Sequence, residues 1–265
     1  LNPVVLVVSL LASLGIVAFT LAVTVSVRIT LKDAAFGALV AAFPNTGFMG
    51  VPLLTALLGA AAAGPVICAL LVDLFITSSL CIALAQAHDA KGEGTRAALT
   101  RALQGALSNP LPWSIALGVL CTLLGWQLGG PLAPVATIVN MLADAASPVA
   151  LFTIGAVLWR AGQHAHTRTP PSLFLPVAAI KLFAHPLLVF ALAAGAHALG
   201  APIGAFEIMV LTLAAALPSA SNVSLLAERY GADNGRVARI ILSSTALAFI
   251  TFSAAAWMFG AGAAR

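Results

Sequence analysis

The run Ala42-Phe43-Pro44-Asn45-Thr46-Gly47-Phe48-Met49-Gly50-Val51-Pro52 interrupts an otherwise apolar segment, 34–58. A helix that crosses a bilayer needs about 20 mostly apolar residues. A proline inside it removes a backbone donor and clashes with the preceding turn. The polar residues after Pro44 are of the kind that cap a restarting helix and satisfy freed backbone groups. A second run, Ala216-Leu217-Pro218-Ser219-Ala220-Ser221-Asn222-Val223-Ser224, breaks the segment 203–227 in the same manner. One such break reads as an ordinary proline kink; two at matching places point to a binding site.

The rest of the chain supports that setting. Of 265 residues, 61% are apolar and 8% charged, against roughly a quarter charged in soluble domains. Mean hydropathy is +1.07. A soluble enzyme, a disordered tail and a nucleic-acid-binding domain are excluded, although the pI is near 9.4. Cys68, Cys81 and Cys121 lie in apolar runs without a C-x-x-C spacing and read as small core residues. Composition predicts an all-α polytopic membrane protein with eight spans. They are 3–27, 34–58, 65–87, 110–128, 133–159, 172–198, 203–227 and 235–260.

Every Lys and Arg except Lys181 and Arg265 falls in alternate connections: Arg28 and Lys32; Lys91, Arg96 and Arg101; Arg160 and Arg168; Arg229, Arg236 and Arg239. The connections at 59–64, 129–132 and 199–202 carry none. The positive-inside rule makes the basic set cytoplasmic, including 88–109, and starts Leu1 outside. Thr95 to Leu107 reads as an amphipathic linker, with a lipid-contacting surface helix as the sharper alternative.

The second and seventh spans are five crossings apart, so their broken helices are antiparallel. Each is next to last in its block, the pattern of an inverted repeat whose discontinuous helices meet near the midplane. The blocks are 1–87, a first repeat, and 110–265, a second, joined by the linker 88–109. Three spans against five, and an opening at Leu1-Asn2-Pro3 without Met, predict an N-terminally truncated bundle that lacks two helices.

Charges inside spans cost about 2.5–3.5 kcal/mol on insertion scales and need a partner or a wet cavity. Asp73, Asp144 and Lys181 are such residues, and Lys181 shares a helical face with His185. Asp73 with Lys181 reads as a proton-linked pair; the alternatives are a structural salt bridge or Lys181 snorkelling toward an interface. Asp144, on one face with Asn140, reads as a further coupling candidate or a packing residue. Glu207, near a helix end, is expected to face water. His164 and His166 lack a third ligand, so no metal is expected. No P-loop, H-E-x-x-H or G-x-S-x-G motif is present, and no enzyme activity or cofactor is expected.

Phe43 to Pro52 resembles the first broken helix of the auxin efflux carrier family. Ala146-Ser147-Pro148-Val149-Ala150-Leu151-Phe152-Thr153-Ile154-Gly155 and Ser219 to Arg239, with Asn222 and Glu228-Arg229-Tyr230-Gly231, are similar to that family too. Among bacterial members the chain looks like the malonate-transporter group. The resemblance implies about ten helices in two inverted five-helix repeats, a moving transport domain, a scaffold that includes 110–159 with a break at Ser147-Pro148, and carboxylated substrates. The expected function is secondary transport of a small organic anion such as malonate by alternating access. The alternative is a membrane receptor that uses the same site without transport. Pro44, Asn45, Thr46, Gly47, Pro218, Ser219, Ser221 and Asn222 are the expected substrate-binding residues. Expected partners are the anion and the lipid of a plasma (inner) membrane, with a homodimer in the full-length protein and no nucleic acid.

Overall fold

The computed structural model describes residues 2–89, 133–163 and 169–261, with scattered positions between 96 and 126. Every element among the described residues is helical. Helix α1 is Pro3–Thr24, and Asn2 caps it by accepting from the Val4 amide at 2.9 Å, with Pro3 in the first turn. Helix α2, Leu31–Ala42, ends before Pro44, and α3, Val51–Leu58, follows a π-helical turn at Thr46–Gly50. Gly59, at φ 89°, closes α3 in a conformation that side chains rarely adopt. Helices α4, Ala63–Val72, and α5, Ser78–Asp89, are joined by a second π turn, Asp73–Thr77. Helix α6 is Ala133–Gln163. Helices α7, Pro171–Ala179, and α8, His185–Ala198, flank a third π turn, Ile180–Ala184. Then come α9, Ala205–Ala216, α10, Asn222–Arg229, and α11, Asn234–Met258.

Four stretches among the described residues are long and apolar enough to cross a membrane: Pro3–Thr24, Ala60–Ala87, Pro171–Ala198 and Asn234–Met258. The two broken spans fall short of that length because each is split into halves. Seven of the eight expected spans coincide with described helices or helix pairs; the span 110–128 lies largely outside the described residues, as does the linker helix 95–107. One expectation is corrected. Helix α6 runs unbroken through Ser147 and Pro148. A lone proline removes a single intrahelical bond and bends a long helix without ending it, and no run of polar or glycine residues follows Pro148 to restart the chain.

Helix α1 packs against α2, α4 and α8, and α2 against α5. Ala34 to Phe43 are all buried, because their small side chains let neighbours approach from every side. At one end of the bundle the starts of α2, α7 and α11 are tied together. Thr30 caps α2 by accepting from the Asp33 amide, and Asp33 Oδ1 accepts from the Asp233 amide at 2.8 Å. The buried Arg236 donates to the carbonyls of Leu173 and Asp33 at 2.8 and 2.9 Å. Gly37 makes room for it, since a Cβ there would stand 2.9 Å from Nη1. Arg239 donates to the Thr169 carbonyl. At the opposite end Asn2 donates to the Pro202 carbonyl and to Glu207 Oε1, at 2.7 and 2.9 Å. Glu207 is half-buried and caps α9, its other oxygen accepting from the Gly204 amide.

Candidate functional site

The two breaks touch. Pro44 and Ser219 form an isolated antiparallel bridge. The Asn45 amide donates to the Pro218 carbonyl at 2.8 Å, and the Ala220 amide donates to the Phe43 carbonyl at 2.9 Å. Backbone groups freed by the prolines thus satisfy one another across the contact. In a dry interior that pairing is close to obligatory. The expected side-chain caps are absent: neither Asn45 nor Ser221 makes one at the helix that follows.

The candidate binding residues divide by environment. Pro44, Thr46, Pro218, Ser219 and Ser221 are buried, Asn45 and Asn222 are half-buried, and Gly47 is exposed. Thr46 closes on its own break, its amide donating to the Pro44 carbonyl at 2.8 Å. The Ser219 amide reaches across to Ser244 Oγ at 3.2 Å. Ser219 Oγ and Asn222 Oδ1 are buried and have no hydrogen-bond partner. Buried polar atoms are normally paired; these two lie at the second break, and Thr20 Oγ1 and Arg236 Nη2 are the others among the described residues.

Asp73 and Lys181 are buried, and they make no direct ion pair. Asp73 Oδ1 accepts from Ser13 Oγ at 3.1 Å and Thr77 Oγ1 at 3.4 Å. Lys181 Nζ donates to the Ala215 carbonyl at 2.7 Å, at the end of α9, and lies 3.0 Å from His185 Nδ1. Asp144 stands apart from both, exposed on α6. A cavity of about 20 Å³ is bounded by Ser9, Ser13, Pro44, Asp73, His185 and Ala215. It admits a water and no organic anion. Among the described residues no group of His, Cys, Asp or Glu could hold a metal; His164 and His166 lie outside them.

Sequence reading missed Ser9, Ser13 and the π turns. The signals were there in part. Two of the π turns end two residues before a proline, Pro52 and Pro186. Each proline lacks the N–H that would continue the α register, and a widened turn absorbs the fault. The third, at Asp73–Thr77, has hydroxyls that bond back to the helix: Thr77 to the Val72 carbonyl and Ser78 to the Leu74 carbonyl. Ser9 and Ser13 are a hydroxyl pair four residues apart on an apolar helix, hence on one face.

Fold and composition define a multi-pass helical membrane protein whose two broken helices meet in its interior. The family model for membrane transport proteins matches residues 2–257, and the chain belongs to that family, the auxin efflux carriers. It is 30% identical over 239 residues to a protein of Rhizobium meliloti (strain 1021) named "Putative malonate transporter", covering 89% of this chain and 70% of that one. It is 24% identical to "Uncharacterized transporter YfdV" of Escherichia coli (strain K12), covering 87% of this chain and 69% of the relative.

Proposed function

We propose that this protein is a secondary transporter that moves a small organic carboxylate, malonate being the first candidate, by alternating access at the crossing of its broken helices. The observation that carries the reading is the pair of buried, unpartnered atoms, Ser219 Oγ and Asn222 Oδ1, beside two paired helix breaks. An amide can turn its Nδ2 toward an anion, and the starts of the π turn and of α10 bring backbone donors and a favourable dipole. Membership of a transport family and the name of the Rhizobium relative agree with this chemistry. In this reading 1–87 and 110–265 are inverted repeats joined by a cytoplasmic linker, 88–109. Asp73 and Lys181 serve coupling, and Asp144, on an exposed face of α6, is assigned to packing within a plasma-membrane homodimer.

The test is counterflow of radiolabelled malonate in proteoliposomes, with binding measured in parallel. Asn45→Ala and Asn222→Ala each remove a donor and an acceptor from the crossing, and each is expected to weaken binding by about 1–3 kcal/mol. Unchanged affinity in both well-folded variants would remove these residues from the site. Binding without exchange by the native chain would favour a receptor.

A further inference from the structure

The water-sized cavity beside the crossing has an unusual lining. Both hydroxyl donors to Asp73 fall on Oδ1, and Oδ2 has no protein partner among the described residues. His185 is held through Nδ1 by Lys181, and its Nε2 likewise has no protein partner there. Both side chains are 3% exposed and both border the cavity. Asp73 and His185 therefore border one small space that is roomy enough for a water and also lined by two serines, Ser9 and Ser13.

The tautomer follows from the neighbour. An ammonium has donors only, so Lys181 donates to Nδ1 and the ring proton sits on Nε2, which makes His185 a neutral donor into the cavity. Asp73 and His185 are the titratable side chains that line it among the described residues, with Lys181 behind His185; α1 contributes hydroxyls, and α9 contributes backbone and apolar side chains.

We propose that the cavity holds one ordered water bridging His185 Nε2 to Asp73 Oδ2, and that this Asp73–water–His185–Lys181 chain is the proton site of the carrier. The proposal rests on the transporter reading and adds to it the identity of the coupling ion. The charge count gives its direction. Empty, the site holds one carboxylate and one ammonium and is neutral. Malonate arriving at the crossing as its monoanion, hydrogen malonate, leaves it with one excess negative charge, which a low-dielectric interior penalises. One proton added to Asp73 Oδ2 through the water restores neutrality: the carboxylate becomes a carboxylic acid, no other bond changes, and the proton leaves when the anion does. Anion and proton therefore travel together, in the same direction.

The experiment uses the full chain in proteoliposomes with radiolabelled malonate and a pH-sensitive dye inside. Wild type should accumulate malonate when the outside is acidic, with dye-detected proton entry that depends on malonate. The quantity compared is gradient-driven accumulation divided by counterflow. His185→Gln and Asp73→Asn should each lower that ratio at least tenfold. Infrared difference spectra on adding malonate to wild type should show a new carboxylic-acid carbonyl band that is missing in Asp73→Asn, a readout that holds even where a variant loses counterflow. Wild-type counterflow with accumulation indifferent to the proton gradient, or no acid band, overturns the proton site and leaves the transporter reading standing. Absence of counterflow in wild type overturns the transporter reading itself.

Discussion

The two broken helices are built to one plan with different chemistry. Each has a first half of 12 residues and a second half of 8. Each first half carries an acid at its third position, Asp33 or Glu207, that bonds the residue before its own helix and holds a distant piece of chain. At the breaks they diverge. At the first, the Asn45 amide crosses to the Pro218 carbonyl while those of Thr46, Met49 and Gly50 return to Pro44 and Asn45, and Gly50 packs under Leu217 with no room for a Cβ. The second borrows an acceptor from α11, Ser244, and leaves Ser219 Oγ and Asn222 Oδ1 open. The first break is thus the more closely fitted surface, and the second carries the two unpartnered polar atoms.

The sharpest way to break that contrast is at Leu217, which is fully buried with its Cδ1 2.8 Å from where a Gly50 Cβ would lie. Leu217→Ala should cost about 2–5 kcal/mol by opening a cavity. Gly50→Ala should cost about 1 kcal/mol by overpacking. The double variant should lose less than the sum, because the new methyl enters the space vacated by leucine. Thermal unfolding in detergent reads the cycle; strict additivity would mean that the two breaks do not fit against each other.

A second contrast lies at the outer ends of the same half-helices. Asp33 sits beside the buried Arg236, accepts from Thr30 and from the Asp233 amide, and offers its own carbonyl to the guanidinium. Glu207 meets only neutral donors, the Gly204 amide and Asn2. Hydrogen bonds within a charged network are worth more than neutral caps. Asp33→Ala should cost about 2 kcal/mol and Glu207→Ala about 1 kcal/mol. Equal midpoint shifts in a denaturant titration would show that Arg236 draws nothing from its acidic neighbour.

Much of this architecture was legible in the sequence. Pro44 and Pro218 with their polar followers announced both breaks, and the apolar runs announced the spans, because these features act locally along the chain. The loops grouped by their basic residues do meet: Arg236 reaches Leu173 and the Asp33 carbonyl, and Arg239 reaches Thr169. What failed were the long-range choices. Caps expected from Asn45 and Ser221 gave way to backbone pairing between segments some 175 residues apart, which no local pattern encodes. Asp73 and Lys181, expected to touch, instead each took hydroxyl, carbonyl or imidazole partners. The break expected at Ser147-Pro148 is absent because Pro148 lacks the glycine and polar run that follows Pro44.

The finest test compares how each break satisfies its first amides. At the second break, the Ser219 amide depends on one side chain, Ser244 Oγ, which itself donates to the Ile241 carbonyl. Ser244 is fully buried, so Ser244→Ala leaves an amide facing methyl groups, with no route for water to replace the bond. That should cost about 1 kcal/mol and speed amide hydrogen exchange at Ser219. At the first break, Thr46 keeps its backbone bond to Pro44 whatever its side chain, and its hydroxyl makes only a long contact of 3.4 Å to the same carbonyl. Thr46→Val preserves shape and forfeits only that contact, so its cost should stay within a few tenths of a kcal/mol. A Thr46→Val loss equal to or greater than that of Ser244→Ala would show that the first break leans on a side chain as heavily as the second.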